Sequence, residues 1–294
     1  MLAEGHDSRV AIRCGFGSGA AGEWMPLAGA GGPLCDPSPW VANAKPFVLK
    51  SPSQFRTAGP YELTSAEYTA DFNEVKELGA VDSKTRTVGQ THAAVFWQTN
   101  PAANYNALAR RFVDQLSLDV SDSARLFAML DLSAADAIIN AWNDKYHYRF
   151  WRPITAIHND DGNPATAADP TWTPLFNPAL SVEIAGIGPA LITPPYPEHP
   201  SGATTYASAS MHAFASFFGT DEMGVPFYLT SSRFPTDPAL PREQRSFTRF
   251  SDVTNEILEA RIWAGIHFRN ADVQAAELGS EVEHYIHEQL FASQ

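Results

Sequence analysis

The chain has 294 residues and a net charge of −13, with 44% hydrophobic and 18% charged residues. This is the balance of a globular protein with a sizeable core, and no apolar run is long enough to span a membrane. No basic stripe interrupts the acidic surplus, which argues against nucleic acid as a partner, so an anion site must gather a minority of cations locally.

Residues 1–60 are rich in Gly, Pro and Ala and show little periodicity. They read as an irregular arm packed on the surface and anchored by Trp24, Trp40 and Phe47. The opening MLAEGHDSRV has no basic segment followed by an apolar stretch, so no secretory signal is read. Cys14 and Cys35 are too few for a disulfide framework, and their pairing stays open. From Thr64 the pattern becomes helical, with Thr64 or Ser65 as N-cap and Gly79 as the stop. THAAVFWQ and NYNALARRFVDQL predict two further helices. The strongest element is SDSARLFAMLDLSAADAIINAWNDKYHYRFWRP, capped by Ser121 or Asp122 and periodic up to the Arg152-Pro153 stop. Residues 159–195 form a Pro- and Asn-rich loop, long enough to be functional. SGATTYASASMHAFASFFG, SFTRFSDVTNEILEARIWAGIHF and ADVQAAELGSEVEHYIHEQLF predict the remaining helices, and no β-alternation of useful length is visible. The expected fold is all-α, a helical bundle with long loops over residues 61–294 that carries the irregular arm of residues 1–60.

Three stretches carry chemistry. In KYHYRFWRP, Lys145 and Arg152 are seven apart, which on a continuous helix places them within roughly 20° of one another. Two cations on one stripe need a shared anion, a carboxylate or water; alternatively both reach outward to solvent. In PEHPSGA, Ser201 and Gly202 open a helix whose N–H groups suit an oxyanion, although such starts are frequent. In ARIWAGIHFRNAD, Arg261 and His267 are six apart, about 120° on a straight helix, and converge only if the helix ends or bends near Gly265. A histidine there suits a nucleophile, a metal ligand or an acid–base group, though a lone histidine is more often structural.

Together, Lys-x6-Arg-Pro, Pro-Ser-Gly and Arg-x5-His resemble the three-part signature of the vanadium haloperoxidase and type 2 phosphatidic acid phosphatase superfamily. The flanking text resembles its bacterial haloperoxidase-like branch over roughly residues 120–290, and FVLKSPSQFR extends the likeness into the arm. The resemblance implies an all-helical enzyme in which Lys145, Arg152 and Arg261 bind the oxygens of vanadate or phosphate. Ser201 and Gly202 would add neutral donors, with Trp142 and Tyr196 lining the pocket. His267 would be the vanadium ligand of a peroxidase, acting on hydrogen peroxide and halide, or the phosphorylated nucleophile of a phosphatase, which takes a phosphomonoester and needs no cofactor. Asp272 stands near the carboxylate that orients this histidine, although one residue late. The motif's acid–base histidine is Ala203 here, and the serine usual before the third-motif arginine is Ala260. His199 or Glu198 could replace the lost proton carrier; otherwise the chain could be a non-catalytic oxyanion-binding protein. Members are often secreted and often carry more N-terminal sequence, and a homodimer is a candidate assembly.

Overall fold

The computed structural model describes residues 17–29, 32–33, 35–177, 191–233 and 243–292. Among these residues the framework is eight helices: α1 Ala66–Leu78, α2 Val88–Phe96, α3 Pro101–Leu116, α4 Val120–Tyr148, α5 Pro153–His158, α6 Gly202–Phe218, α7 Phe250–Trp263 and α8 Arg269–Ile286. The architecture is all-α. At its centre lies α6, packed by α4, α7 and α8. Its sequence explains the position, because Ala207, Ser208, Ala209, Ser210 and Ala213 are all buried and let three helices approach. The Ser208 hydroxyl donates to the Ala276 carbonyl of α8 at 2.6 Å and ties these two helices together.

The helix starts follow capping chemistry. Ser65 accepts from the Tyr68 N–H and starts α1, while Thr87 and Gln90 form a capping box that starts α2. For α4 the cap is Asp119, which accepts from the Asp122 N–H, rather than Ser121 or Asp122. A larger correction concerns its end. The helix stops at Tyr148, Arg149 turns left-handed at φ 50°, and Arg152 caps the separate helix α5. Lys145 and Arg152 therefore share no helical stripe.

The expectation of no strand also fails locally. Residues of SFTR, read as the start of a helix, lie in β4 Gln244–Arg249, antiparallel to β3 Glu222–Thr230 with Phe227 opposite Phe247. The strand forms because Phe227 packs edge-on to Phe112 of α3 at 5.9 Å and against Phe250 at 4.9 Å. Only tertiary contact shows that. A second, two-residue pair joins β1 Ala28–Gly29 to β2 Gly32–Pro33.

The arm lies along α4, which offers it a polar ladder one turn apart per rung. Asp136 accepts the N–H groups of Phe47, Val48 and Leu49 at 2.7, 2.8 and 2.9 Å. Asn140 bonds both backbone groups of Phe55. Asp144 accepts from Thr57 and pairs with Arg56. Within the arm, Pro39–Asn43 forms a 3-10 turn. Trp24 is buried, whereas Trp40 and Phe47 are exposed, so the two latter anchors are not seated in the core. Cys14 lies outside the described residues, and with it the question of its pairing.

Candidate active site

The three motif stretches meet where α4, α6 and α7 end or begin. Lys145 occupies the last turn of α4, Arg152 the cap of α5, Ser201 and Gly202 the start of α6, and Arg261 the last turn of α7. His267 sits in the turn from α7 to α8. That turn is possible because Gly265 adopts φ +75°, where an added Cβ would stand 2.6 Å from the Gly79 carbonyl oxygen. The change of direction after Trp263 removes the 120° offset between Arg261 and His267 that a straight helix would impose.

All the charged groups here are buried. The Lys145 ammonium donates to the carbonyls of Pro197 and Glu198 at 3.0 and 2.9 Å, and also to that of Pro200, so its three protons organise the loop before α6. Arg152 donates from Nε to the Tyr196 carbonyl at 2.9 Å and from Nη1 to that of Ile266 at 2.8 Å. The same Nη1 lies 3.1 Å from His267 Nε2. Arg261 reaches only Gln98 Oε1, at 3.4 Å from Nη1; its Nε and Nη2 are buried with no hydrogen-bond partner among the described residues. The first N–H groups of α6 have no intrahelical carbonyl to meet. An alanine side chain at Gly202 would bring its Cβ to 2.7 Å from the Trp142 ring, so only glycine lets the indole lie this close.

His267 donates from Nδ1 to Glu198 Oε1 at 2.8 Å, and the same oxygen accepts the Phe268 N–H at 2.9 Å. With Oε1 fixed as an acceptor, Nδ1 carries the proton and Nε2 presents a lone pair. Burial, reinforced by Arg152 and Lys145, pushes the imidazole pKa well below its ordinary value, so it is neutral. Burial likewise lowers Lys145, Arg152 and Arg261. It raises Glu198 to about 8 and Asp272 to about 7, against the pull of the neighbouring cations.

Two expected roles move. Asp272 does not orient His267: its Oδ1 accepts from Thr204 Oγ1, to which the Ser201 hydroxyl donates at 3.2 Å. Glu198 holds Nδ1 instead, which the sequence hinted at only through a carboxylate in PPYPEHPSGA. His199 points elsewhere, with Nε2 3.1 Å from Thr57 Oγ1 and its ring edge-on to Tyr148 at 5.3 Å. Burial holds its pKa down to about 3. Lys145, Arg152, Ser201, Gly202, Arg261 and His267 do come together, and the Trp142 and Tyr196 rings, tilted and 5.0 Å from one another, lie against Lys145 and Arg152.

Beside these groups opens a cavity of about 210 Å³, lined among others by Gly202, Ala203, Arg261, His267, Trp142 and Tyr196. Sequence reasoning missed Gln98 after α2, Tyr105 in α3 and Tyr206 in α6 on its wall, because no local pattern marks them as site residues.

Comparison with known proteins follows this geometry. Residues 125–293 match the family model of the VCPO second helical-bundle domain. The vanadium chloroperoxidase of Curvularia inaequalis is 26% identical over 282 residues, covering 76% of this chain and 45% of that protein. The chain thus spans about half the length of this curated relative. Among solved structures, a bacterial vanadium-dependent iodoperoxidase superposes with TM-score 0.75 at 24% identity, over 96% of this chain and 63% of the other. A holo-type bacterial vanadium-dependent chloroperoxidase gives TM-score 0.64 at 18% identity, over 92% and 61%. These two likenesses establish the fold.

Proposed function

The chain belongs to the family of the VCPO second helical-bundle domain, and from that premise we propose that it is a vanadate-dependent haloperoxidase, oxidising halide with hydrogen peroxide. The observation that carries this is a pair of features on one cavity: Arg261, whose Nε and Nη2 are buried without partners among the described residues, and His267, whose unprotonated Nε2 meets only Arg152 Nη1 among them. A buried guanidinium left half-satisfied is unfavourable unless a ligand completes it. A tetrahedral oxyanion suits it, with charge-assisted donors on one side and the N-terminus of α6 on the other.

Vanadate fits this donor set. Arg261 and the first N–H groups of α6 would hold its oxygens, and His267 Nε2 would supply its nitrogen ligand. When bound, it supplies a Lewis-acidic centre that makes peroxide a stronger oxygen donor toward halide. Lys145 and Arg152 act chiefly as fixed positive charge, because the loop carbonyls engage their protons. Glu198 fixes the tautomer and ring orientation of His267. The Ser201 hydroxyl gives its proton to Thr204, so the N–H groups of α6 supply the neutral donors. Ala203 offers no group to move a proton, and His199 does not line the cavity, so turnover is expected to be low.

The unprotonated Nε2 is also the arrangement of a nucleophile, which supports a second reading as a phosphomonoesterase acting through a phosphohistidine at His267. A paired assay separates them. Bromide oxidation that requires both vanadate and peroxide supports the first, whereas phosphomonoester hydrolysis inhibited by vanadate supports the second. Retention of vanadate with neither activity would leave an oxyanion-binding protein.

A further inference from the structure

The arm holds one tryptophan of the cavity wall by its polar edge, and α7, braced by the β3–β4 hairpin, holds another. Trp142 Nε1 donates to Asp36 Oδ2 at 3.2 Å, and the same oxygen accepts the Tyr146 hydroxyl at 2.8 Å. Trp97 Nε1 donates to Glu256 Oε1 at 2.7 Å, and Arg245 of β4 fixes Glu256 from the other side at 2.8 Å. Neither carboxylate lines the cavity. With both indole N–H groups bound outside it, the cavity meets the apolar bodies of the tryptophans.

Three more rings complete the wall. Tyr105 and Tyr206 lie 5.8 Å apart and tilted, and Tyr196 rests against Trp142. Ala203 lines the cavity together with these rings and the oxyanion donors, and its methyl group leaves the passage between them open. An apolar cavity of about 150 Å³ accommodates benzene, and two waters take up about 60 Å³ of liquid. The 210 Å³ here therefore holds one aromatic ring and a small tetrahedral oxyanion together.

We propose that the cavity beside the α6 N-terminus is an aryl subsite, which seats one aromatic ring of the organic substrate next to the bound oxyanion. Rings clamped from behind lose little freedom when a flat ligand enters, so the subsite is preformed. The substrate class is a monocyclic aromatic, and the Ala203 vacancy gives it direct access to the reacting centre. This rests on the oxyanion reading of the site given above.

The test uses two anions with the same head and no bond a phosphatase can hydrolyse, phenylphosphonate and methylphosphonate, titrated calorimetrically into the intact protein. Phenylphosphonate is expected to bind about tenfold to a hundredfold more tightly, the gain from burying one ring. The phenyl-to-methyl affinity ratio should fall toward one in Ala203→Leu, which blocks the passage, and fall in Tyr206→Ala, which removes one wall. Circular dichroism identifies a variant that fails to fold, and the other then supplies the readout. Equal affinity for both phosphonates in the wild type would overturn the aryl subsite and leave the oxyanion site standing. An unchanged ratio in the folded variants would overturn its location. Binding of neither would overturn it together with the oxyanion reading.

Discussion

Arg261 is the residue on which the site turns. Its Nε and Nη2 are buried without partners among the described residues, so the unliganded fold carries a penalty that a bound oxyanion removes. Arg261→Met should therefore raise the unliganded protein's unfolding free energy by about 1–3 kcal/mol while weakening vanadate at least tenfold. Urea melts with and without vanadate read both effects, and a variant less stable in both would mean that the guanidinium has another partner. His199 makes a different claim. Its folded pKa of about 3 lies below the unfolded value near 6.5, so only the unfolded chain takes a proton between these limits. Stability should drop as the pH is lowered through that window, by up to about 1.4 kcal/mol per unit, and His199→Gln should lose that part of the slope. An identical slope in the variant would show that His199 is not the neutral, buried group described. At Ala203, restoring an imidazole with Ala203→His should raise turnover by about 10²–10⁴-fold with little change in anion affinity. No gain in steady-state rate would place the limitation elsewhere in the site.

At the scale of elements, α4 does two jobs from two faces. One carries Trp142 and Lys145 to the site, and the other holds the arm through Asp136, Asn140 and Asp144. Asp136 is fully buried and satisfies three consecutive backbone N–H groups. Asp136→Ala should lower stability by about 2–4 kcal/mol in denaturant melts and open the arm to limited proteolysis. An arm that remained protected would mean that the other rungs suffice. The sequence reading placed the arm on the surface without finding Asp136, Asn140 and Asp144, because three polar residues four apart on an apolar helix name no partner until the arm meets them. The hairpin was missed for a related reason, because Phe247 has no alternating neighbours strong enough to mark a strand before Phe227 and Phe112 cover it. Lys145 and Arg152 do meet, yet not by helical periodicity. The turn at Arg149 brings them together, and no sequence pattern announces a left-handed arginine.

Across the whole molecule, a chain of net charge −13 encloses three buried cations at one end of a helical bundle. The cations, Ser201, Gly202 and His267 were legible because their spacing survives any fold that joins the three stretches. Glu198 in place of Asp272, and the supports Asp36 and Glu256, required coordinates, because each acts across more than 60 positions of sequence. The bundle matches bacterial vanadium-dependent peroxidases in fold while differing from the motif at Ala203. What decides the matter is whether His267 behaves as a ligand to vanadium or only as one wall of an anion pocket. Calorimetric titration of orthovanadate and phosphate into the wild type and His267→Ala measures this directly. The wild type should bind both anions competitively, and the substitution should weaken vanadate far more than phosphate, because only vanadium accepts a nitrogen ligand at this position. Equal losses for the two anions, or no vanadate binding by the wild type, would contradict the account.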